Sequence, residues 1–482
     1  MKIAKTFLRE SFFYTLGDVL NRTAKFFLIP FYTNTFSQAE YGLLEQVLIG
    51  IAFVDIAVTF SLSNTLLRLY YDYNGEEKKK LFGAAISIVL ATSGFILFVI
   101  LFFEVLDINI YFSDNRYFFY IVPYTALISI TSIGMVLLRI QKNAKAYSGY
   151  TFLKTVLELV LIIFFIASLG KGVEGFLQGS VIAATAMTLL VSFKILRKSA
   201  VFTRQPSYYV KYIKFGSPLI LNEFAGWFLV SYDKIIIKNH YGFGDLALYG
   251  LAVQVVSIFK FLLEGILKAF HVITYDQFKK ISASYHKLIQ CFLALFCFIG
   301  IGFIMFSEEI ILVISNRDYL PSAKIVGYLL PTRIFMLYYY LLIIVLYYYR
   351  ETVFITMVTV AASIASWILF PIFIRAWQFE GAALVSNAVY IFIALALSLR
   401  LKKYVDSVFD VLNYLAIAFL ASSIALSRLD LAFSVRLVMM CVFGAVFVFL
   451  AAKGFSSLDD ARIGSIKSIS KIFRNWRGPG GS

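Results

Sequence analysis

Basic residues stand inside apolar segments of this chain, where a charged side chain is costly. Arg22 and Lys25 lie near the middle of the first apolar segment, and Lys260, Lys268 and Arg333 lie within later ones. A charge at the centre of a bilayer costs about 3 kcal/mol or more, so such groups face protein or water rather than lipid. Guanidinium and ammonium groups are strong donors to phosphate oxygens. These residues therefore predict an anion-binding cavity within the membrane.

Acidic residues also interrupt the apolar segments, and the five of interest are Asp18, Asp55, Glu158, Glu223 and Glu264. Carboxylates in such positions can carry a proton or bind Na⁺ during a transport cycle. A second interpretation remains open, because Asp18 lies one helical turn before Arg22, and Glu264 lies between Lys260 and Lys268 at the same spacing. Internal ion pairs that only hold helices together are the alternative to binding and coupling.

The composition sets the class of protein. Of 482 residues, 60% are hydrophobic and only 15% are charged. About fourteen segments are long enough to cross a bilayer, which takes roughly 20 apolar residues each. The second is predicted over 41–69, and the eleventh and twelfth over 352–374 and 378–400. The fold class is therefore an all-α polytopic membrane protein.

Catalytic and cofactor motifs are missing from the sequence. It contains no GxxxxGK[ST] phosphate loop, no GxSxG nucleophile motif, and no Cys or His spacing typical of a metal or haem site. Every predicted outer loop is short, which argues against a polytopic glycosyltransferase or ligase. We expect a transporter with no cofactor and no metal, and not an enzyme.

Lysine and arginine predict the orientation, because they accumulate on the cytoplasmic side of membrane proteins. With the N-terminus inside, the predicted inner flanks hold most of these residues, including Lys78, Lys79 and Lys80. Both termini are therefore expected in the cytoplasm, with residues 455–477 as an amphipathic helix on the membrane. The net charge of +16 follows from this topology and does not indicate nucleic-acid binding.

A weak internal repeat predicts two lobes. The string YGLLEQV begins at Tyr41, and YGLAVQV begins at Tyr249, six predicted spans later. Two units in the same orientation are related by an axis along the membrane normal, as in some transporters. The predicted division is an N-lobe over 1–200, a C-lobe over 201–403, two appended helices over 404–454, the tail over 455–477 and an artificial end over 478–482.

Two longer strings carry a family resemblance. FSQAEYGLLEQ and YDKIIIKNHYGFGDLALYGLAVQ resemble the half-repeat signatures of the polysaccharide transporter family, within the superfamily of multidrug, oligosaccharidyl-lipid and polysaccharide exporters. The resemblance covers these two strings and the number of spans, and not the whole chain residue by residue. It implies a V-shaped bundle of two six-helix lobes in a bacterial inner membrane.

The resemblance also implies a substrate. It is an undecaprenyl-pyrophosphate-linked oligosaccharide, such as an O-antigen unit, moved outward by alternating access among membrane lipids and beside polysaccharide polymerase machinery. An ion gradient of H⁺ or Na⁺ is the expected driving force, and passive flipping driven by the substrate gradient is the alternative. A multidrug cation antiporter and a flippase for a lipid-linked peptidoglycan precursor are the alternatives within the superfamily.

Overall fold

The computed structural model describes residues 24, 26–106, 108, 115–258, 293, 295–349, 351–403, 436 and 440. Every regular element among these residues is a helix, which confirms the predicted all-α class. Seven described helices are long and apolar enough to cross a membrane, or eight if one bent pair forms a single span. The count of fourteen stays a prediction, since only residues 436 and 440 of the two predicted appended helices are described.

The described chain separates into two compact units. The first comprises residues up to Gly250 together with Val313–Asp318, and the second comprises Leu251–Leu312 and the residues from Tyr319 onward. The helices of the first unit are α1 (26–35), α2 (Gln38–Thr59), α3 (Leu62–Leu69), α4 (Gly75–Val105), α5 (Phe118–Ile140), α6 (Ala144–Ile163), α7 (Gly172–Val191) and α8 (Pro206–Tyr241).

The remaining helices follow α8 along the chain. They are α9 (Phe243–Ile258), α10 (Leu295–Met305), α11 (Ser307–Ile314), α12 (Ser322–Tyr348) and α13 (Thr352–Leu401). At 50 residues α13 would be about 75 Å long, more than twice the thickness of the hydrocarbon layer. Non-helical backbone at Trp377 and Gln378 divides it, close to the predicted gap between 374 and 378.

The first unit extends beyond the predicted lobe boundary. The sequence ends the N-lobe at residue 200, whereas α8 packs against α2, α3 and α4 and belongs to the same compact unit. The compact units are defined by contacts between residues, and the predicted lobes are defined by the sequence repeat. The lobe boundary at residue 200 therefore stays a prediction.

The predicted second span contains a break. Helix α2 ends at Thr59, and Phe60 and Ser61 adopt left-handed backbone conformations with φ of 47° and 50° before α3 begins. Non-glycine residues in this region cost on the order of 1–3 kcal/mol each and persist only where surrounding contacts enforce them. Here Gly216 of α8 provides the space, since a Cβ at this position would lie 3.1 Å from both the ring and the carbonyl oxygen of Phe60.

Two glycines allow the two signature strings, FSQAEYGLLEQ and YDKIIIKNHYGFGDLALYGLAVQ, to lie in contact. A Cβ on Gly42 of α2 would overlap the carbonyl oxygen of Phe243, and one on Gly250 would lie 2.6 Å from Cγ of Glu45. At Gly42 the backbone of Phe243 approaches too closely for a side chain, and at Gly250 the side chain of Glu45 occupies the space. The signature strings are thus spatial neighbours within the first unit as well as echoes in the sequence.

Replacing Gly42 with alanine should destabilise the protein by about 1–3 kcal/mol, because the added methyl group forces apart two backbones that have no room to move. The measurement is the thermal unfolding midpoint in detergent. Gly94→Ala is the matched control, since a methyl group at this position of α4 would meet open space, with no neighbouring atom within 4 Å. Equal midpoints for the two variants would contradict the close contact.

Candidate functional site

Three of the predicted coupling carboxylates gather in the first unit. Asp55 is on α2, Glu158 on α6 and Glu223 on α8. Asp55 lies within electrostatic reach of Glu223 and of the Lys154 ammonium group. Both Asp55 and Glu158 act electrostatically on Tyr124. We call Asp55, Glu158 and Glu223 the carboxylate cluster.

Hydrogen bonds hold two of these carboxylates. The buried Tyr124 hydroxyl on α5 donates to Glu158 Oε1 at 2.8 Å, and the Ser61 hydroxyl donates to Glu223 Oε1 at 2.9 Å. Glu158 is only 7% exposed. A buried carboxylate is strongly penalised unless donors or a positive charge compensate it, and hydrogen bonds to a charged group stabilise by about 1.5–3 kcal/mol. The cluster is therefore a built polar centre.

The broken helix explains the position of Ser61. This residue precedes α3, where a serine usually caps the helix, yet its hydroxyl makes no cap bond. It donates instead to Glu223 on α8. Because Gly216 has no side chain, α8 can approach the helix break closely. The strained backbone thus directs a donor to a carboxylate on another helix.

A buried hydroxyl in the same region lacks a partner. Tyr32 on α1 lies within electrostatic reach of Glu158, and its hydroxyl is buried with no hydrogen bond among the described residues. Leaving such a group unsatisfied costs about 1–3 kcal/mol. A water molecule or an ion between this hydroxyl and Glu158 would satisfy it.

The charges around the cluster are unequal. Among the described residues, Asp55 lies within electrostatic reach of one ammonium group, that of Lys154 on α6, and of the Glu223 carboxylate, and Glu158 adds a further negative charge beside Tyr124. In the described residues, no three His, Cys, Asp or Glu side chains converge closely enough to hold a metal ion together. The arrangement can accept a proton, or bind one monovalent cation through a carboxylate and hydroxyl oxygens.

A second group of charges lies near the start of α2 and the end of α8. Lys234 Nζ is 3.4 Å from Glu45 Oε2, and the two side chains are 12% and 2% exposed. One residue earlier, Asp233 Oδ2 accepts a hydrogen bond from the Tyr249 hydroxyl at 2.5 Å. The Glu45–Lys234 pair joins the two signature strings, and the Tyr249–Asp233 bond lies within the second of them.

Of the predicted anion-binding residues, only Arg333 lies within the part of the chain that the structure describes. Arg22, Lys25, Lys260 and Lys268 lie outside the described residues, as do Asp18 and Glu264. Arg333 is described: it lies in the middle of α12 in the second unit, half-buried, with Nη1 3.6 Å from Met336 Sδ. No carboxylate among the described residues pairs with it. Its role in phosphate binding stays a prediction.

Sequence reasoning missed the hydroxyl partners of the cluster. Tyr32, Tyr124 and Ser61 stand among 31 tyrosines and many hydroxyl residues in apolar surroundings, with nothing in their spacing to distinguish them. One signal was available for Ser61: a polar SLSN stretch interrupts the second span. Such a stretch favours a helix break.

Solved structures with the same fold are membrane transporters. The chain aligns with a structure of the lipid II flippase MurJ in an inward closed conformation, with a TM-score of 0.67 and 16% identity, over 94% of this chain and 99% of that one. An inward-facing multidrug resistance transporter of the MATE family and MOP superfamily aligns with a TM-score of 0.61 and 13% identity, over 81% and 95% of the two chains. At these identities the likeness establishes the fold alone.

The sequence places the chain in a family. The profile of the polysaccharide biosynthesis protein family matches residues 7–271, more than half of the chain. The protein belongs to this family, which confirms the resemblance drawn from the two strings. Lsg locus protein 1 of Haemophilus influenzae is 23% identical over 281 residues, which cover 56% of this chain and 67% of that relative. A second membrane protein of the same organism is 20% identical and is covered to 66%, so the chain spans about two thirds of each relative.

We expect the Tyr124–Glu158 bond to be coupled more strongly than an exposed pair of the same type. Tyr124→Phe, Glu158→Gln and the double variant should give an interaction free energy of about 1–3 kcal/mol, because the buried partner left behind has no water to replace the bond. The measurement is unfolding stability in detergent. The control cycle uses Tyr120 and Glu174, which form a 2.9 Å hydrogen bond at an exposed position. Equal coupling in the two cycles would contradict a compensated buried site.

Proposed function

We propose that this protein is a flippase for an undecaprenyl-pyrophosphate-linked oligosaccharide, such as an O-antigen repeat unit. The substrate would move from the cytoplasmic to the outer leaflet of a bacterial inner membrane, with both protein termini in the cytoplasm. Membership of a polysaccharide biosynthesis family and a transporter fold support the substrate class. Polysaccharide polymerase machinery would then consume the product.

The observation that carries the mechanism is the carboxylate cluster. Asp55, Glu158 and Glu223 come from three helices of one unit, and hydroxyl donors fix two of them. Among the described residues the cluster has more carboxylates than ammonium groups. Such a cluster changes its charge by binding H⁺ or Na⁺, and the free energy of that binding can bias a two-state transporter. We assign ion coupling to this cluster, together with Asp18 and Glu264, which the sequence places in spans.

The pyrophosphate is assigned to basic side chains away from the cluster. Arg22, Lys25, Lys260, Lys268 and Arg333 would supply charge-assisted hydrogen bonds to its oxygens. Arg333 supports this assignment, since its guanidinium lies mid-span on α12 without a carboxylate partner among the described residues. A cation at that depth is expected to have a functional reason.

One observation favours a second candidate function. Two carboxylates, Asp55 and Glu158, lie within electrostatic reach of Tyr124, and such a group of acids and aromatic rings also suits a cationic aromatic drug. A multidrug cation antiporter of the same fold would use this cluster as its substrate site. A flippase for a lipid-linked peptidoglycan precursor would share the basic residues with the oligosaccharide flippase and differ in the sugar and peptide it carries.

The test is translocation of a lipid-linked oligosaccharide by the purified protein in liposomes. Arg22→Ala and Arg333→Gln should each lower the rate tenfold or more, because each removes a charge-assisted contact to phosphate. Arg22→Lys should retain part of the activity if charge alone suffices. Glu158→Gln should abolish the response to an imposed H⁺ or Na⁺ gradient, while Glu174→Gln, at an exposed pair, should keep it.

Two outcomes would overturn the proposal. Full translocation by the double variant Asp18→Asn with Arg22→Gln would show that these charges only neutralise each other. Gradient-driven export of a cationic dye without any movement of the oligosaccharide would replace the flippase by the antiporter.

A further inference from the structure

A polar cavity of about 240 Å³ lies in the first unit where α2 begins and α8 ends. Its polar lining comes from Gln46 of α2 and from Lys234, Lys238 and Asn239 of α8. Drug-sized ligands occupy pockets of about 300–1,000 Å³, so this cavity suits a smaller polar group. None of these residues belongs to the carboxylate cluster.

The charge of this cavity is positive. Lys234 is paired with Glu45 at 3.4 Å, so one of the two ammonium groups is neutralised within the protein. Lys238 lies one turn further along α8 with Nζ 5.4 Å from the centre of the Phe243 ring, and no carboxylate among the described residues pairs with it. The Lys238 ammonium group, the paired Lys234 ammonium group and the side-chain amides of Gln46 and Asn239 line one space, which is the chemistry that binds a phosphate group.

An apolar cavity of about 370 Å³ adjoins the polar one. Ile235 lines both cavities, and Ile49 of the polar cavity is followed by Gly50 of the apolar one. Phe53, Ala57 and Trp227 extend the apolar lining away from this border. A space with so little polar lining has few partners for water, and in a membrane protein the apolar molecule at hand is lipid.

Along α8 a polar cavity is followed by an apolar cavity, which is the order of the head group and the hydrocarbon chain in an amphiphilic lipid. From Lys238 at the polar end to Trp227 at the apolar end, the helix rises about 16 Å. The apolar cavity therefore runs from the end of the span toward its middle, in the direction in which a lipid chain enters a bilayer.

We propose that the two cavities form one binding site for a lipid phosphate. The phosphate is held by Lys234, Lys238 and Asn239, and the first part of one hydrocarbon chain fills the space beside Phe53 and Ala57. Two sources share this chemistry: a polyprenyl phosphate and an anionic glycerophospholipid. The site goes beyond the transport proposed above and does not depend on it, because it is defined by binding alone.

The test is equilibrium binding of lipid to the full-length protein in detergent, with undecaprenyl phosphate and dioleoylphosphatidylglycerol as separate probes. Undecaprenol, which has the chain without the phosphate, is the third probe. Lys238→Gln should weaken binding of the phosphate-bearing probe about tenfold, and Lys238→Arg should restore most of it. Ala57→Leu should also weaken binding, because its side chain takes the place of the hydrocarbon.

Matched controls separate this site from lipid bound at random. Lys171→Gln changes a lysine that lines neither cavity, and Val105→Leu adds bulk at an exposed position on α4. Both should bind lipid as the unmodified protein does. Unfolding midpoints identify any variant that fails to fold. If Ala57→Leu fails to fold, the comparison of Lys238→Arg with Lys238→Gln still decides the role of the phosphate contact.

Each outcome has one meaning. Tighter binding of undecaprenyl phosphate supports the site and assigns it to a polyprenyl carrier, whereas tighter binding of phosphatidylglycerol supports it and assigns it to bulk lipid. The proposal is overturned if undecaprenol binds as tightly as undecaprenyl phosphate, if Lys238→Gln has no effect, or if Ala57→Leu leaves binding unchanged. Loss of oligosaccharide translocation with normal lipid binding would count against the transport proposal alone.

Discussion

The described structure depends on one constraint, that a charge within the membrane must be compensated by the protein itself. Water solvates such groups elsewhere, but hydrocarbon offers no donor or acceptor. In the first unit Tyr124 compensates Glu158, and Lys234 compensates Glu45. Each pair joins two helices, so compensation of charge also fixes which helices are neighbours. Buried ion pairs seldom stabilise a protein more than apolar packing would, which is a reason to look for a function in them.

The backbone is shaped to satisfy the same constraint. Left-handed conformations at Phe60 and Ser61 break the second span at the point where a hydroxyl donor is needed for Glu223. Close packing at Gly42 and Gly250 brings α2 and α9 together, and Glu45 of α2 then lies 3.4 Å from Lys234 near the end of α8. Strain and tight packing are costs that stabilise nothing alone, and they persist because they place donors beside carboxylates.

Hydropathy made most of the fold predictable, because the length and apolarity of a span are local properties. The gap between the eleventh and twelfth spans was predicted within a few residues of the non-helical Trp377 and Gln378. The candidate coupling residues Asp55, Glu158 and Glu223 were also selected from sequence, since an acid within an apolar segment stands out. Their proximity was not predictable, because they lie on three helices whose packing follows from side-chain fit. Tyr124, Tyr32 and Ser61 are ordinary residue types, and only tertiary structure distinguishes them.

The same limit applies to the division of the chain. The repeat places a boundary near residue 200, while packing of α8 on α2 carries the first compact unit to Gly250. Sequence symmetry reports how the chain arose, and compactness reports which helices pack together. The paired charges of Glu45 and Lys234 belong to the second kind of information, because they depend on how α2 and α8 pack together.

The central proposal is that Asp55, Glu158 and Glu223 couple transport to H⁺ or Na⁺ as one electrostatically linked group. Infrared difference spectroscopy of the reconstituted protein tests it directly, by following carboxyl vibrations as pH or Na⁺ concentration is changed. We expect carboxyl bands that respond to one of these ions, are altered by Tyr124→Phe and disappear in the triple variant Asp55→Asn, Glu158→Gln, Glu223→Gln. Identical difference spectra for the unmodified protein and the triple variant would contradict it.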